Sequence, residues 1–252
     1  MKKRIDLNCD LGEWLTEKGS AVDEAIMPFI TSCNVACGGH IGDEESMQAT
    51  ILLANKYGVA LGAHPSYPDR ENFGRTVMDI SSEKLAESLK SQIESFKSLV
   101  EKAGMVLHHI KPHGALYNHA SIDEKTAKTI LSVVKSIDPN IMVYLPENSI
   151  SANVAQEFGL NVVYEVFADR AYENDLSLRD RSLEGAVLED QADIIAQLRS
   201  MILKGEVLTH CGIYKSISSE TVCLHSDTKG AIQLAETIHK FLTTNGVEIT
   251  AA

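Results

Sequence analysis

Short runs rich in β-forming residues alternate with stretches of helical periodicity along the whole 252-residue chain, and this alternation restricts the fold more than any other feature. The runs are Ile5 to Asp10, Cys33 to Cys37, Val59 to Ala63, Val106 to Ile110, Ile141 to Leu145, Val162 to Phe167 and Thr221 to His225. Between them, Ser81 and Ser82 precede an apolar stripe of Leu85, Leu89, Ile93, Phe96 and Val100 that Gly104 ends. Ser121 with Glu124 has capping-box spacing ahead of Ala127, Ile130, Leu131 and Val134, and Asp138-Pro139 stops that helix. The final helix carries Ala231, Leu234, Ala235, Ile238 and Leu242 before Gly246, with weaker helical patterns at Met47 to Tyr57, Ile150 to Phe158 and Ile194 to Leu203. Strands separated by helices pair in parallel through right-handed crossovers. About seven such units without a linker predict one α/β domain over residues 1–252, a closed or nearly closed β/α barrel, with a doubly wound open sheet as the alternative. The stretch Glu206 to Glu220 is too short for an ordinary helix, and Val207-Leu208-Thr209 with Ser216-Ile217-Ser218 predicts a small appended hairpin.

Composition narrows the function. The 23 basic residues against 35 acidic ones leave a net charge of -12, which disfavours nucleic acid and anionic membrane as partners and favours small molecules or proteins. The basic start Met1-Lys2-Lys3-Arg4 is followed by Asp6, Asn8 and Asp10, which break any apolar signal region, so a cytoplasmic protein is expected. Five cysteines without a C-x-x-C pair predict reduced thiols: Cys9, Cys33 and Cys223 as small core residues, Cys37 beside Gly38-Gly39-His40 as a candidate nucleophile.

In a parallel β/α fold, ligands sit at the carboxyl ends of the strands. Six of the seven predicted strand ends carry ionisable groups beside Gly or Pro. They hold Asn8, Asp10 and Glu13; Asn34, Cys37, His40 and Asp43; His64 and Asp69; Lys111, His113, Tyr117 and Asn118; Glu165, Asp169, Arg170 and Tyr172; His225 and Asp227. In strand one, Asp6, Asn8 and Asp10 alternate with Ile5, Leu7 and Cys9, so the polar face points into the barrel or, on an edge strand, to solvent. Lys111-Pro112-His113-Gly114 sets an ammonium and an imidazole on one rigid turn, suited to polarising an oxygen and moving a proton. Asp169-Arg170 reads as a substrate clamp or a loop-shaping ion pair. Asp10 with His40, His64 or His113 has the ligand types of a divalent metal site, although no H-E-x-x-H is present. His108 and His239 read as packing or surface residues. No G-x-x-x-x-G-K-[ST] occurs, so the chain carries no P-loop for ATP.

These strand-end segments together resemble the A-subunit family of 5-oxoprolinase, also called the lactam utilisation proteins. The stretches are IDLNCDLGE (Ile5 to Glu13), SCNVACGGHIGD (Ser32 to Asp43), GVALGAHPSYPDRENFGR (Gly58 to Arg75), HIKPHGALYN (His109 to Asn118), EVFADRAY (Glu165 to Tyr172) and TVCLHSDT (Thr221 to Thr228), in the family's order over nearly the entire chain. The chain departs from the family pattern at Gly39 and Ile41, where CGFHAGD is usual, at Thr76 where a second Arg is usual, at Ser226 where HGD is usual, and over Glu173 to Arg179. The resemblance implies a seven-stranded barrel of the glycoside hydrolase and deacetylase type. It also implies ATP-dependent ring opening of 5-oxoproline to L-glutamate together with subunits B and C, with nucleotide chemistry shared with those partners. On that reading Asp10 and His113 move protons or position water, Lys111 stabilises oxyanion or phosphoryl charge, and Arg170, oriented by Asp169, grips a carboxylate or phosphate. His40, His64, Asn8, Glu13, Asn34, Asp43, Tyr117, Glu165, His225 and Asp227 complete the cavity, with a divalent metal as a possible addition. The alternatives are a metal-dependent deacetylase-like hydrolase and a non-catalytic, substrate-delivering subunit.

Overall fold

The computed structural model describes residues 3–14, 19–226 and 230–252. In chain order the first elements are β1 (Arg4–Leu11), α1 (Gly19–Ile26), β2 (Ser32–Ala36), α2 (Glu44–Tyr57), β3 (Ala60–His64) and α3 (Ser82–Lys102). They continue with β4 (Leu107–Ile110), α4 (Gly114–Ala120), α5 (Glu124–Ile137), β5 (Met142–Leu145), α6 (Ile150–Glu157) and β6 (Asn161–Phe167). The last are α7 (Gln191–Leu198), β7 (Glu206–Leu208), β8 (Tyr214–Ser216), β9 (Thr221–His225), α8 (Ala231–Thr244) and β10 (Glu248–Ile249).

Strands β1 to β6 pair in sequence order, β9 follows β6, and β9 closes onto β1, so a seven-stranded barrel forms with every pairing parallel. This is the closed alternative of the two predicted from the sequence. The two-residue β10 adds in parallel beside the start of β1. β7 and β8 form a separate antiparallel hairpin, with the second strand at Tyr214–Ser216, slightly earlier than the Ser216–Ser218 expected.

The helices follow their apolar stripes. α3 buries Leu85, Leu89, Ile93, Phe96 and Val100, and the Ser81 hydroxyl accepts from the Lys84 amide as its cap. α8 buries Ala231, Leu234, Ala235, Ile238 and Leu242. Three local readings are corrected. The cap of α5 is Asp123, whose carboxylate accepts from the Thr126 amide, while Ser121 ends the unpredicted α4 and bonds back to Tyr117. The helix expected over Ile194 to Leu203 is α7 followed by a wider π turn at Arg199–Lys204, which Gly205 ends. Val106 is 81% exposed and lies outside β4, because it faces water where the chain leaves α3.

The helix-facing side of the barrel is apolar, but its interior is not the usual fill of branched aliphatics. Asp6, Asn8, Asn34, His109, Lys111, Glu165 and Thr221 are all buried. Gly62 is required by this interior, since a Cβ there would lie 2.1 Å from His109 Nε2.

Candidate active site

The polar interior is built in tiers from the amino to the carboxyl ends of the strands. At the bottom, the Asp6 carboxylate accepts from Thr31 (2.7 Å), Ser32 (2.7 Å), Thr221 (2.6 Å) and Tyr144 (2.9 Å). Every neighbour is a hydroxyl donor, so the buried charge is fully solvated by protein. In the next tier, the Asn8 amide donates to Glu165 Oε1 (3.0 Å) and Thr221 (2.7 Å), and Asn34 Nδ2 donates to Asn8 Oδ1 (2.8 Å) and Asp10 Oδ1 (2.7 Å). His109 donates through Nε2 to Asn34 Oδ1 (2.7 Å) and stacks on Tyr144 at 3.9 Å. Lys111 Nζ reaches Asp10 Oδ1 (3.0 Å), Glu165 Oε1 (2.9 Å) and Cys223 Sγ (3.0 Å), which uses its three donors. Burial works against that charge, but Asp10, Cys223 and Glu165 overcome it and hold Lys111 well above the ordinary lysine range.

The top tier faces a cavity of about 140 Å³ at the carboxyl ends of the strands, lined by Asp10, Glu13, His64, His113, Tyr117 and His225, with Arg75 and Arg181 at its mouth. β1 delivers Asp10, and Gly12, at φ 72, turns the chain so that Glu13 comes back over the barrel. His64 ends β3, where its Nδ1–H donates to the Lys111 carbonyl (2.7 Å). His113 precedes α4, and its Nε2–H donates to the Phe73 carbonyl (3.0 Å). Phe73 adopts a left-handed backbone at φ 55, a strained conformation beside the site. A carbonyl only accepts, so each bond fixes the ring proton away from the cluster. His64 Nε2 and His113 Nδ1 then face each other at 3.0 Å, with Asp10 Oδ2 3.3 Å from the former and Glu13 Oε1 3.4 Å from the latter.

Electrostatics divides this tier. Burial opposes ionisation of Asp10, yet the charges around it, Lys111 among them, hold its carboxyl well below the usual range. Burial holds His113 well below the ordinary imidazole range, reinforced by His40 stacked on it at 3.6 Å. His225 behaves oppositely: burial lowers it, but Asp169 at 3.1 Å from Nδ1 raises it overall, leaving Nε2 directed to Asp10 Oδ2 at 3.8 Å.

Most of the residues singled out from the sequence converge here. Asp10, Glu13, His64, Lys111, His113, Tyr117, Arg170 and His225 line the cavity, and Asn8, Asn34 and Glu165 support it from below. His40 lies behind His113, bonded through Nε2 to Glu13 (2.9 Å), with its pKa driven down to about 2 by burial and by His64. Asp169 pairs with His225 and so orients an imidazole, where the sequence reading has it orient Arg170. Arg170 is among the cavity-lining residues, but its guanidinium donates to the carbonyls of Ala186 and Arg179 and braces the loop after β6, a different geometry from the anion grip expected. Asp43 is exposed and caps α2 through the Ser46 amide, away from the cavity. Asp227 lies outside the described residues. Cys37 is corrected as a nucleophile: it is buried, and burial pushes its thiol up to about 12.

His109 is the interior residue that the sequence reading leaves without a role. Counting in twos from Lys111 finds it, since positions 109 and 111 share one face of β4 and its extension. The unusual Ser226 donates to the Asp10 carbonyl (2.8 Å), and at the unusual Gly39 the space that a Cβ would take is filled by Ser66 and Gln92.

Residues 5–252 match the LamB/YcsF family. The chain is 40% identical over 249 residues to the A subunit of 5-oxoprolinase from Haemophilus influenzae (strain PittEE), covering 99% of this chain and 100% of that protein. It is 43% identical over 247 residues to the protein of the same name from Nitrobacter hamburgensis, covering 97% and 96%. Among solved structures it is similar to the lactam utilization protein from Thermus thermophilus, with a TM-score of 0.92 at 34% identity over 99% of this chain and 100% of that one.

Proposed function

This chain belongs to the LamB/YcsF family, and from that premise we propose that it is the A component of a 5-oxoprolinase, which opens 5-oxoproline to L-glutamate with ATP in an assembly with subunits B and C. The full-length similarity to proteins named for the A subunit of 5-oxoprolinase supports the substrate, and the word subunit supports the assembly. The observation that carries a catalytic role is the cavity itself, where proton acceptors (His64 Nε2, His113 Nδ1, Asp10 Oδ2) stand opposite a proton-bearing imidazole (His225).

Opening a lactam requires water at the carbonyl carbon, stabilisation of charge on its oxygen and a proton for the departing nitrogen. Asp10 and His113 orient the water and take its proton; His225, whose pKa Asp169 raises against burial, protonates the nitrogen as the C–N bond breaks. Lys111 keeps Asp10 ionised from beneath and sets the positive field at the cavity floor. Arg75 and Arg181 at the mouth receive the substrate carboxylate. A five-membered lactam resists hydrolysis, so ATP transfers its γ-phosphoryl to the lactam oxygen and leaves as ADP. Once water has added to the carbon, the phosphate departs as inorganic phosphate while the C–N bond breaks; without a P-loop here, the nucleotide is handled jointly with the partner subunits. No helix among the described residues is long and apolar enough to cross a membrane, and the free cysteines fit a reducing compartment such as the cytoplasm.

The test is glutamate release from 5-oxoproline by the purified chain, with and without ATP and with and without subunits B and C. Release that needs ATP and both partners, and that is lost in His113→Ala with folding intact, is the expected result. Amide cleavage by the chain alone without ATP would make it a free-standing hydrolase, and an active His113→Ala complex would reduce it to a substrate-delivering subunit.

A further inference from the structure

In the top tier the protons are on the outer side of the rings. His64 has its proton on Nδ1, bound by the Lys111 carbonyl, and His113 has its proton on Nε2, bound by the Phe73 carbonyl. Their inward nitrogens carry lone pairs and stand 3.0 Å apart. Asp10 Oδ2 and Glu13 Oε1, at 3.3 Å and 3.4 Å from these nitrogens, also carry lone pairs. All four atoms lie within 4.8 Å of one another, and Glu13 Oε1 also accepts from His40 Nε2 (2.9 Å). A cation among them would draw the four lone pairs together.

We propose that His64 Nε2, His113 Nδ1, Asp10 Oδ2 and Glu13 Oε1 are the ligands of one divalent transition-metal ion of the zinc type. Donors about 2.0–2.1 Å from a tetrahedral ion lie about 3.3–3.4 Å from each other. The observed separations of 3.0, 3.3, 3.4 and 4.0 Å bracket that spacing. Imidazole with carboxylate suits zinc, iron, cobalt or nickel better than magnesium or calcium, which take oxygen alone. The supports expected around a metal site are in place: each ring is held by a carbonyl, Glu13 accepts from His40, and Asp10 Oδ1 is fixed by Lys111 and Asn34, leaving Oδ2 to the ion. All four ligand residues line the cavity, so the side of the ion that they leave uncovered faces the substrate space, where a fifth ligand can add. The inference concerns what four atoms bind; with the ion in place Asp10 and His113 are its ligands, and their role as proton acceptors in the proposed function belongs to the metal-free site.

The test reads metal, not turnover. The full chain is stripped with a chelator and titrated with Zn2+ against a chromophoric competitor, then with Co2+ followed in the visible. One equivalent of Zn2+ retained in excess Mg2+, and an intense four- or five-coordinate Co2+ spectrum, are expected. His64→Ala and His113→Ala each weaken Zn2+ binding at least ~100-fold, beyond the 10–100-fold typical of outer-shell changes. His239→Ala, at the far end of α8, leaves it unchanged. Failure to bind, a weak octahedral Co2+ spectrum, or a full equivalent retained by the folded double variant overturns the proposal. The wild-type Co2+ spectrum decides the matter if a variant does not fold. Metal binding without oxoprolinase activity would leave this inference standing and remove the other.

Discussion

Asp6 and Asp10 stand on the same face of β1, both buried in the same barrel, yet their surroundings differ in kind. Asp6 is wrapped by four hydroxyl donors that carry no charge and need no partner from outside. Asp10 meets a lysine on one oxygen and the lone-pair side of an imidazole near the other. One carboxylate is saturated by the fold and serves stability; the other is kept incomplete at a cavity and serves chemistry. What distinguishes them is the residue type on the neighbouring strands: serine, threonine and tyrosine around the first, lysine and histidine around the second.

Substitutions can break this contrast. The largest effect is expected for Asp10→Asn, which keeps the shape and removes the charge: turnover of the assembled enzyme falls by ~10⁴-fold, measured as kcat, while the chain still folds. Asp6→Ala has the converse outcome, a loss of about 3–5 kcal/mol in denaturant unfolding because four hydroxyls, those of Ser32, Tyr144 and Thr221 on buried residues and that of the part-buried Thr31, lose a charged acceptor. If Asp6→Ala proved neutral for stability, the two carboxylates would not differ as described. Asp169→Asn removes the charge that orients His225 and lowers kcat by ~100-fold with KM little changed.

A third buried carboxylate sharpens the comparison through pH. Burial raises Asp23 to about 6, against the hydrogen bonds from Trp14 and Gly12. Its folded pKa lies above its unfolded value, so the folded state holds the extra proton and stability from this group falls as pH rises from about 4 to about 6. Asp23→Asn should therefore gain about 2–3 kcal/mol relative to the parent between pH 4 and pH 7, read from the difference in unfolding free energies. The smallest effect is expected at Ser226→Gly, about 1 kcal/mol, because only one hydroxyl-to-carbonyl bond to Asp10 is lost.

The barrel was legible because its signals are periodic. Seven β runs and the stripes of α3, α5 and α8 are repeated patterns, and the alternation Asp6, Asn8, Asp10 gave the inward face of β1. Single contacts were not legible. Ser121 has the spacing of a cap but ends the previous helix, because α4 holds only seven residues and begins at a glycine, too short for a stripe to show. Asp43 sits in a motif with His40, yet its carboxylate turns to the α2 amides while His40 turns inward. Arg170 follows Asp169 directly, so their side chains diverge along the strand end, one to a loop carbonyl and one to His225. Proximity in sequence predicted the cavity; only packing decided which atoms meet in it.

The barrel closes by pairing β9 with β1, residues 221–225 against residues 6–10. Until the ribosome has made nearly the whole chain, the first strand lacks its β9 neighbour, and the cavity lacks His225 and the wall that β9 supplies. Folding therefore cannot be completed piece by piece from the amino terminus. It ends in one late, long-range event that builds the last wall and completes the site at the same moment, so a chain cut short before β9 is left with two open sheet edges and a site without His225.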